Sequence, residues 1–249
     1  MINLTGETAL ITGGGSGIGL GIVKEMIGLG AKVVLTGRTE EKLRDAQKML
    51  GENCFYCVND VTDKKHLPVL IQDIEKNIGA ISILVNNAGR QIKKPSLDTT
   101  DAEFDEVINT NLSSVFALTR EVLKYMIPRK KGSVLFISSM TAFYGLPQVL
   151  SYSASKSALF GLLRTLTVEY AHTGVRFNAR APGFIESKMM LAALDKDPSR
   201  KEKILSRTPV GRFGDAADIG KAAAFLASDA AAFITGVCLP VDGGNSIGF

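Results

Sequence analysis

The chain has 249 residues, 45% of them hydrophobic, and a formal net charge of +4. That length and apolar content predict one α/β domain over residues 1–249 with a sizeable buried core. The mild charge comes without a long basic run or an aromatic-basic patch, so nucleic acid is not expected as a partner. Nor is a membrane expected, because no apolar run approaches the ~18 residues that span one.

The N-terminus, MINLTGETALITGGG, lacks the charged and apolar sections of a signal peptide. Thr8–Thr12 reads as a buried strand, followed by GGGSGIGL and a helical stretch to about Leu29. The glycines fail the G-x-G-x-x-G pattern in every register. Their physics is still that of a phosphate cradle, because absent Cβ atoms let backbone N–H groups approach a pyrophosphate at a helix's positive end. A plain tight turn is the alternative.

Residues 32–36 form a second strand, then Gly37 and Arg38. A carboxylate here hydrogen-bonds an adenosine 2′-hydroxyl, whereas an arginine accommodates a 2′-phosphate. Arg38 therefore favours NADP(H), with NAD(H) as the alternative, unless it is only a solvated residue before a helix. Cys54–Val58 is a third strand. Its Cys54-x-x-Cys57 spacing matches redox pairs, but residues three apart on a strand face opposite ways, so packing is expected. Three cysteines without an export signal predict a reduced, cytoplasmic protein. His66 and His172 are far apart, so no metal site is expected. Asp60, Thr62 and Asp63 suit a helix cap.

Residues 83–85 form a fourth strand ending in Asn86-Asn87-Ala88-Gly89. Residues 101–127 predict one long amphipathic helix, in which Asn111 competes with the backbone for hydrogen bonds. Residues 133–137 are a fifth strand ending near Ser139, and residues 153–171 are helical. Tyr152 and Lys156, one turn apart, share a helix face. A phenol of pKa about 10 exchanges protons poorly at neutral pH, and an ammonium beside it lowers that value. A serine hydroxyl from the strand end can bind a substrate carbonyl. Tyr144, in the same stretch, has no lysine four residues on. Residues 175–179 are a sixth strand, 188–207 are helical with Met189, Met190, Leu191 and Leu194 on one side, 215–228 are a last helix and 236–241 a last strand. Seven strands alternating with helices imply a parallel, doubly wound sheet covered on both faces.

Thr12, Gly13, Gly17 and Gly19 fit T-G-x-x-x-G-x-G; N-N-A-G follows; Ser139 stands thirteen residues before Tyr152, and Lys156 four after it. In motif order, over essentially the whole chain, this resembles the short-chain dehydrogenase/reductase family. The resemblance implies a Rossmann-type domain with Tyr152 as general acid/base. Lys156 lowers its pKa and holds the nicotinamide ribose, Ser139 orients the carbonyl, and Asn111, within NTNLSSVF, binds a water of a proton relay. It places Gly13, Ser16, Gly17, Ile18 and Gly19 at the pyrophosphate. Asp60 and Val61 lie at the adenine, and Asn87, Ala88 and Gly89 along the ribose and nicotinamide side. Pro182 and Gly183 lie beneath the nicotinamide, with Ile185 and Ser187 following and Ser187 in a threonine's place.

Gly37 stands where NAD-preferring members carry Asp, and Ser16 where many NADP-preferring members carry a second basic residue. Arg180 replaces a small apolar residue without an evident reason. Enoyl reductases of the superfamily space Tyr and Lys farther apart, and a catalytically silent cofactor-binding regulator would show a broken tetrad or loop; neither is broken here.

The resemblance also implies a lid at about 184–208, with a surface helical pair as the alternative, and a homotetramer or homodimer packed through residues 101–127 and 153–171. Arg90, Lys93 and Lys94 suit an anionic small molecule such as a sugar acid, unless that loop is simply solvated. Gln91 and Lys93 join Ser139 and Tyr152 as candidate substrate residues. A-G-x-Q-x-x-x-P, R-T-P-x-x-R-x-G-D from Arg207 and V-D-G-G look most like gluconate 5-dehydrogenase-type members. The alternative is a 3-oxoacyl-(acyl-carrier-protein) reductase, whose acidic partner would dock on Arg129, Lys130 and Lys131; the I-T-R-D pattern common there is missing.

Overall fold

The apolar runs pair into one seven-stranded parallel sheet, ordered β3-β2-β1-β4-β5-β6-β7. The computed structural model describes residues 2–195 and 197–248. The strands are β1 (Thr8–Thr12), β2 (Lys32–Gly37), β3 (Cys54–Val58), β4 (Ile81–Asn86), β5 (Gly132–Ile137), β6 (Val175–Pro182) and β7 (Cys238–Val241). Strand order reverses between β1 and β4, which opens a crevice at the carboxyl ends of the strands, where open α/β sheets bind ligands.

Each face of the sheet has its own core. Under α1 (Gly17–Gly28) and α9 (Ala216–Ala227) lie Ile11, Ile22, Met26, Val85 and Ile219. Under α3 (Leu67–Asn77), α5 (Ser114–Arg129) and α6 (Leu150–Tyr170) lie Leu10, Ile71, Val122, Phe136 and Leu159. Cys54 belongs to the first core and Cys57 packs against the second, as a period of two requires. Both thiols are free, and burial pushes Cys54 up to about 11. α1 and α9 cross so closely that a Cβ on Gly21 would lie 2.5 Å from Ala216 Cβ.

Several boundaries differ from the expected ones. The helix expected over 101–127 is α4 (Asp101–Ile108), a π-helical turn (Asn109–Ser113) and α5. Hydroxyls cause local competition there: Thr110 Oγ1 donates to Glu106 O and Ser114 Oγ to Thr110 O. β6 runs on to Pro182 because Ala179–Pro182 pairs with β7. The stretch 188–207 holds two helices, α7 (Lys188–Asp195) and α8 (Pro198–Ser206), the second capped by Asp197, whose side chain accepts from Arg200 N–H. They carry a small separate core of Leu194, Ile204 and Phe213. The side chain of Met189 lies outside the described residues. α2 (Glu40–Leu50) completes the helices.

Arg180, on β6, is fully buried. Its Nη1 lies 3.5 Å from Ile219 O, while Nε and Nη2 have no partner among the described residues. Burial pulls the guanidinium down to about 9. Nothing in the structure explains why an arginine stands there.

Candidate active site

The loop between β1 and α1 is tied down by its neighbours. Thr12 Oγ1 accepts the N–H groups of Asn87 and Ala88, both at 3.0 Å, and donates to Val85 O at 3.4 Å. Asn87 Nδ2 donates to Thr12 O at 2.8 Å and to Gly13 O at 3.3 Å. The N-N-A-G segment therefore clamps the end of β4 to the glycine loop. Ser16 precedes α1 without a side-chain cap bond, so the first-turn N–H groups of that helix stay available to an anion.

A cavity of about 540 Å³ opens over this loop. Gly13, Ser16, Ile18 and Gly19 form its floor, Arg38, Asp60 and Val61 one end, and Asn87, Ala88 and Gly89 the other. Gly17 does not line it; this residue starts α1 with φ +52° and open space around its Cβ position, so a backbone preference holds it. Asp60 does not cap a helix; it accepts Thr62 N–H and Oγ1 at 2.9 and 2.7 Å, and the backbone bond holds its carboxyl below the usual range. Asn59 Oδ1, buried in the wall, has no donor among the described residues. An acceptor waiting at the sheet's edge, free helix N–H groups and a cationic rim fit a phosphorylated dinucleotide.

That rim holds a residue the sequence reading missed. Lys42, from the first turn of α2, lines the cavity with Arg38 and Thr39. It supplies the second cation that Ser16 does not. Its position four residues after Arg38 was the available signal.

A second cavity of about 640 Å³ adjoins the first, with Ile18 lining both. Ser139, Tyr152, Gln91 and Lys93 line it, as do Pro182, Gly183, Ile185 and Ser187. Ser187 Oγ also accepts Met190 N–H at 3.1 Å, leaving its own proton to donate.

Ser139 and Tyr152 face the same cavity, and Ser139 Oγ accepts Thr141 N–H at 3.2 Å. Lys156 lies beneath, 4% exposed, with Nζ donating to Ile137 O at 2.6 Å and 5.6 Å from the centre of the Tyr152 ring. Burial pulls this lysine down to about 8. The expected lowering of the Tyr152 phenol is not what this arrangement produces. Desolvation raises it, the nearby Ser139 hydroxyl opposes that only in part, and Lys156 is engaged with a carbonyl.

Asn111 is fully buried, with Oδ1 accepting Arg90 N–H at 2.7 Å and Nδ2 donating to Arg90 O at 2.8 Å and Ser155 Oγ at 3.0 Å. Both amide protons are committed, so the side chain pins the loop after N-N-A-G. Ser155 in turn donates to Tyr152 O, and a Cβ on Gly89 would lie 3.5 Å from Lys156 Nζ.

Of the loop cations, Lys93 lines the second cavity and has no ion pair among the described residues. Arg90 pairs with Glu106 at 2.8 Å and Lys94 with Glu103 at 3.0 Å. Arg200, Lys203 and Arg207, from α8 and its end, line the same cavity, and among the described residues no carboxylate does. Arg129 and Lys131 are paired with Glu75 and Glu7. Among the described residues, no cluster of His, Cys, Asp or Glu could hold a metal, and no helix is long and apolar enough to cross a membrane.

A glycine-floored cleft at the strand-order reversal, opening beside a serine, a tyrosine and a buried lysine, defines an oxidoreductase of the dinucleotide-dependent kind. Comparison with known proteins agrees. The family model described as Enoyl-(Acyl carrier protein) reductase matches residues 13–246. The 3-oxoacyl-(acyl-carrier-protein) reductase of Rickettsia prowazekii is 39% identical over 244 residues, 98% of each chain. Among solved structures, a candidate gluconate dehydrogenase from Agrobacterium tumefaciens aligns with TM-score 0.96 at 30% identity, over 100% of this chain and 99% of that one. A gluconate 5-dehydrogenase from Burkholderia cenocepacia, in complex with NADP and tartrate, aligns with TM-score 0.93 at 34% identity, over 100% and 98%. The chain belongs to the short-chain dehydrogenase/reductase family.

Proposed function

We propose that this protein is an NADP(H)-dependent oxidoreductase, acting on a ketone or secondary alcohol of a sugar acid or related polyol. The observation that carries the substrate class is the second cavity: Lys93, Arg200, Lys203 and Arg207 line it, and no acidic side chain among the described residues does. Such a field concentrates anions and repels cations. The solved relative holding tartrate, a hydroxy dicarboxylate, is in keeping with this. Arg38 and Lys42 together suit the 2′-phosphate of NADP(H).

Bound NADP(H) supplies or accepts the hydride. In the reducing direction the Ser139 hydroxyl donates a hydrogen bond to the substrate carbonyl oxygen, and Tyr152 Oη passes its proton to that oxygen. A phenol kept above its ordinary pKa is fully protonated at neutral pH, which suits a donor. Lys156, whose ammonium lies 5.6 Å from the centre of the Tyr152 ring, is assigned the return of that proton. Asn111 holds the Arg90 backbone and, beside Lys156 across Gly89, is assigned the water of the proton relay. Residues 1–249 act as one cofactor-binding domain, with 184–208 as a lid over the second cavity. The protein works in the cytoplasm as a homotetramer or homodimer through α5 and α6, whose outer faces expose Phe116 and Val168.

Identity with 3-oxoacyl-(acyl-carrier-protein) reductases supports a second reading, reduction of a carrier-bound 3-oxoacyl thioester. The patch at 129–131 lends it little, since Arg129 and Lys131 already have carboxylate partners. The test is NADPH consumption with 5-ketogluconate and with acetoacetyl-CoA in parallel, repeated with NADH. Turnover of the ketogluconate and not the thioester, faster with NADPH, is expected. Turnover of the thioester alone would replace the proposed substrate by the second reading.

A further inference from the structure

Four cations line the second cavity, but only one of them is built into place. Lys93, Arg200 and Lys203 are exposed, and Asp197 lies within electrostatic reach of Arg200 and Lys93. Arg207 is half-buried, and its guanidinium carbon sits 4.5 Å from the centre of the Tyr144 ring. Its Nε donates to Asn245 O at 3.4 Å.

Both supports are themselves fixed. Tyr144 Oη donates to Asn245 Oδ1 at 2.6 Å, and Asn245, 1% exposed, donates through Nδ2 to Thr208 Oγ1 at 2.9 Å. Thr208 closes the chain by donating to Ile204 O at 2.8 Å, within α8. Asp242, whose charge reaches Tyr144, spends its carboxylate oxygens on the N–H groups of Gly244 and Ser246. Neither terminal nitrogen of Arg207 has a hydrogen-bond or ion-pair partner among the described residues.

A partly buried guanidinium whose terminal nitrogens meet no anion among the described residues is open to an incoming carboxylate. Held on an aromatic face by a single Nε contact, it keeps its two-pronged fork free and oriented, the geometry that binds a carboxylate through two parallel hydrogen bonds. The exposed cations, by contrast, attract anions without fixing them.

We propose that Arg207 is the specificity-determining residue of this enzyme, receiving the carboxylate of a hydroxy- or keto-acid substrate, with Tyr144 and Asn245 as its positioning residues. This rests on the anionic-substrate reading above.

The test is calorimetric binding of gluconate and of sorbitol, an uncharged polyol of equal chain length, to the NADP-loaded protein. Wild type, Arg207→Gln, Arg207→Lys and Lys203→Gln are compared. Wild type is expected to prefer gluconate. Arg207→Gln is expected to weaken gluconate binding by about 10- to 100-fold, the loss of a charge-assisted bidentate contact, while sorbitol affinity and NADP affinity stay within about threefold. Arg207→Lys should recover only part of the loss, because a point charge does not reproduce the fork. Lys203→Gln should cost less than Arg207→Gln and show it mainly at low salt.

If wild type shows no preference for gluconate over sorbitol, the anionic-substrate reading fails and this assignment with it. If wild type prefers gluconate and Arg207→Gln keeps that preference, the assignment to Arg207 alone is overturned. Equal weakening for both ligands would likewise overturn it, since that marks damage to the cavity rather than loss of a carboxylate contact.

Discussion

The chemistry hangs on a phenol in the wall of the second cavity and a buried lysine one helical turn on. Replacing Tyr152 by Phe removes one hydroxyl and keeps the ring in its packing. We expect turnover to fall by about 10²- to 10⁴-fold, the usual share of a general acid, with NADPH affinity within a few-fold; residual activity above a tenth of wild type would remove Tyr152 from its role. Lys156 makes a pH prediction. Its folded value of about 8 lies below the model-peptide value, so the folded state binds fewer protons between about 8 and 10.5. The charged lysine therefore opposes folding below pH 8, by an amount on the order of 3 kcal/mol, and the penalty fades as pH rises to 10.5. In denaturant titrations without cofactor, the stability of wild type relative to Lys156→Met should rise across that window; a flat difference would contradict it. At this scale Ser139, Tyr152 and Lys156 were legible because all three fall within eighteen residues of chain. Tyr144 was not, because its use depends on Asn245, 101 residues away, and on Arg207. Lys42 was hidden inside an ordinary helix start.

Elements were legible where burial dictated them. Strands apolar on both faces, such as β1 and β5, announce themselves. Ends set by a distant partner do not: β6 is lengthened by β7, nearly sixty residues later, and the π turn at Asn109–Ser113 follows from hydroxyls that read as helix-compatible. The clamp joining β1 to β4 can be cut by one substitution of nearly equal shape. Thr12→Val removes an acceptor shared by two N–H groups and leaves that of Ala88 without a partner among the described residues, while Asn87 N–H keeps Val85 O at 3.1 Å. We expect a loss of about 1–3 kcal/mol per orphaned donor that water fails to reach, with weaker NADPH binding, read by denaturation and by titration. Unchanged stability would mean that the glycine loop is held by packing alone.

For the whole molecule, motif order carried the family assignment, while assembly was not readable from it. α6 turns Val168, 84% exposed, to solvent, and a Cβ on Gly161 would meet nothing within 4 Å. That exposed valine and open glycine, on a face they share with Arg164, are where a second copy of the chain is expected to pack. Sedimentation of wild type should give a multiple of 26.6 kDa, and Val168→Glu a smaller species; a monomeric wild type would leave that face without an occupant. The tie between Thr12, Asn87 and Gly13 has a thermodynamic consequence. Because protein groups alone hold the cradle in shape, a nucleotide arriving there finds little left to order. Association at that end should carry a small entropic penalty, with its heat-capacity change set by desolvation.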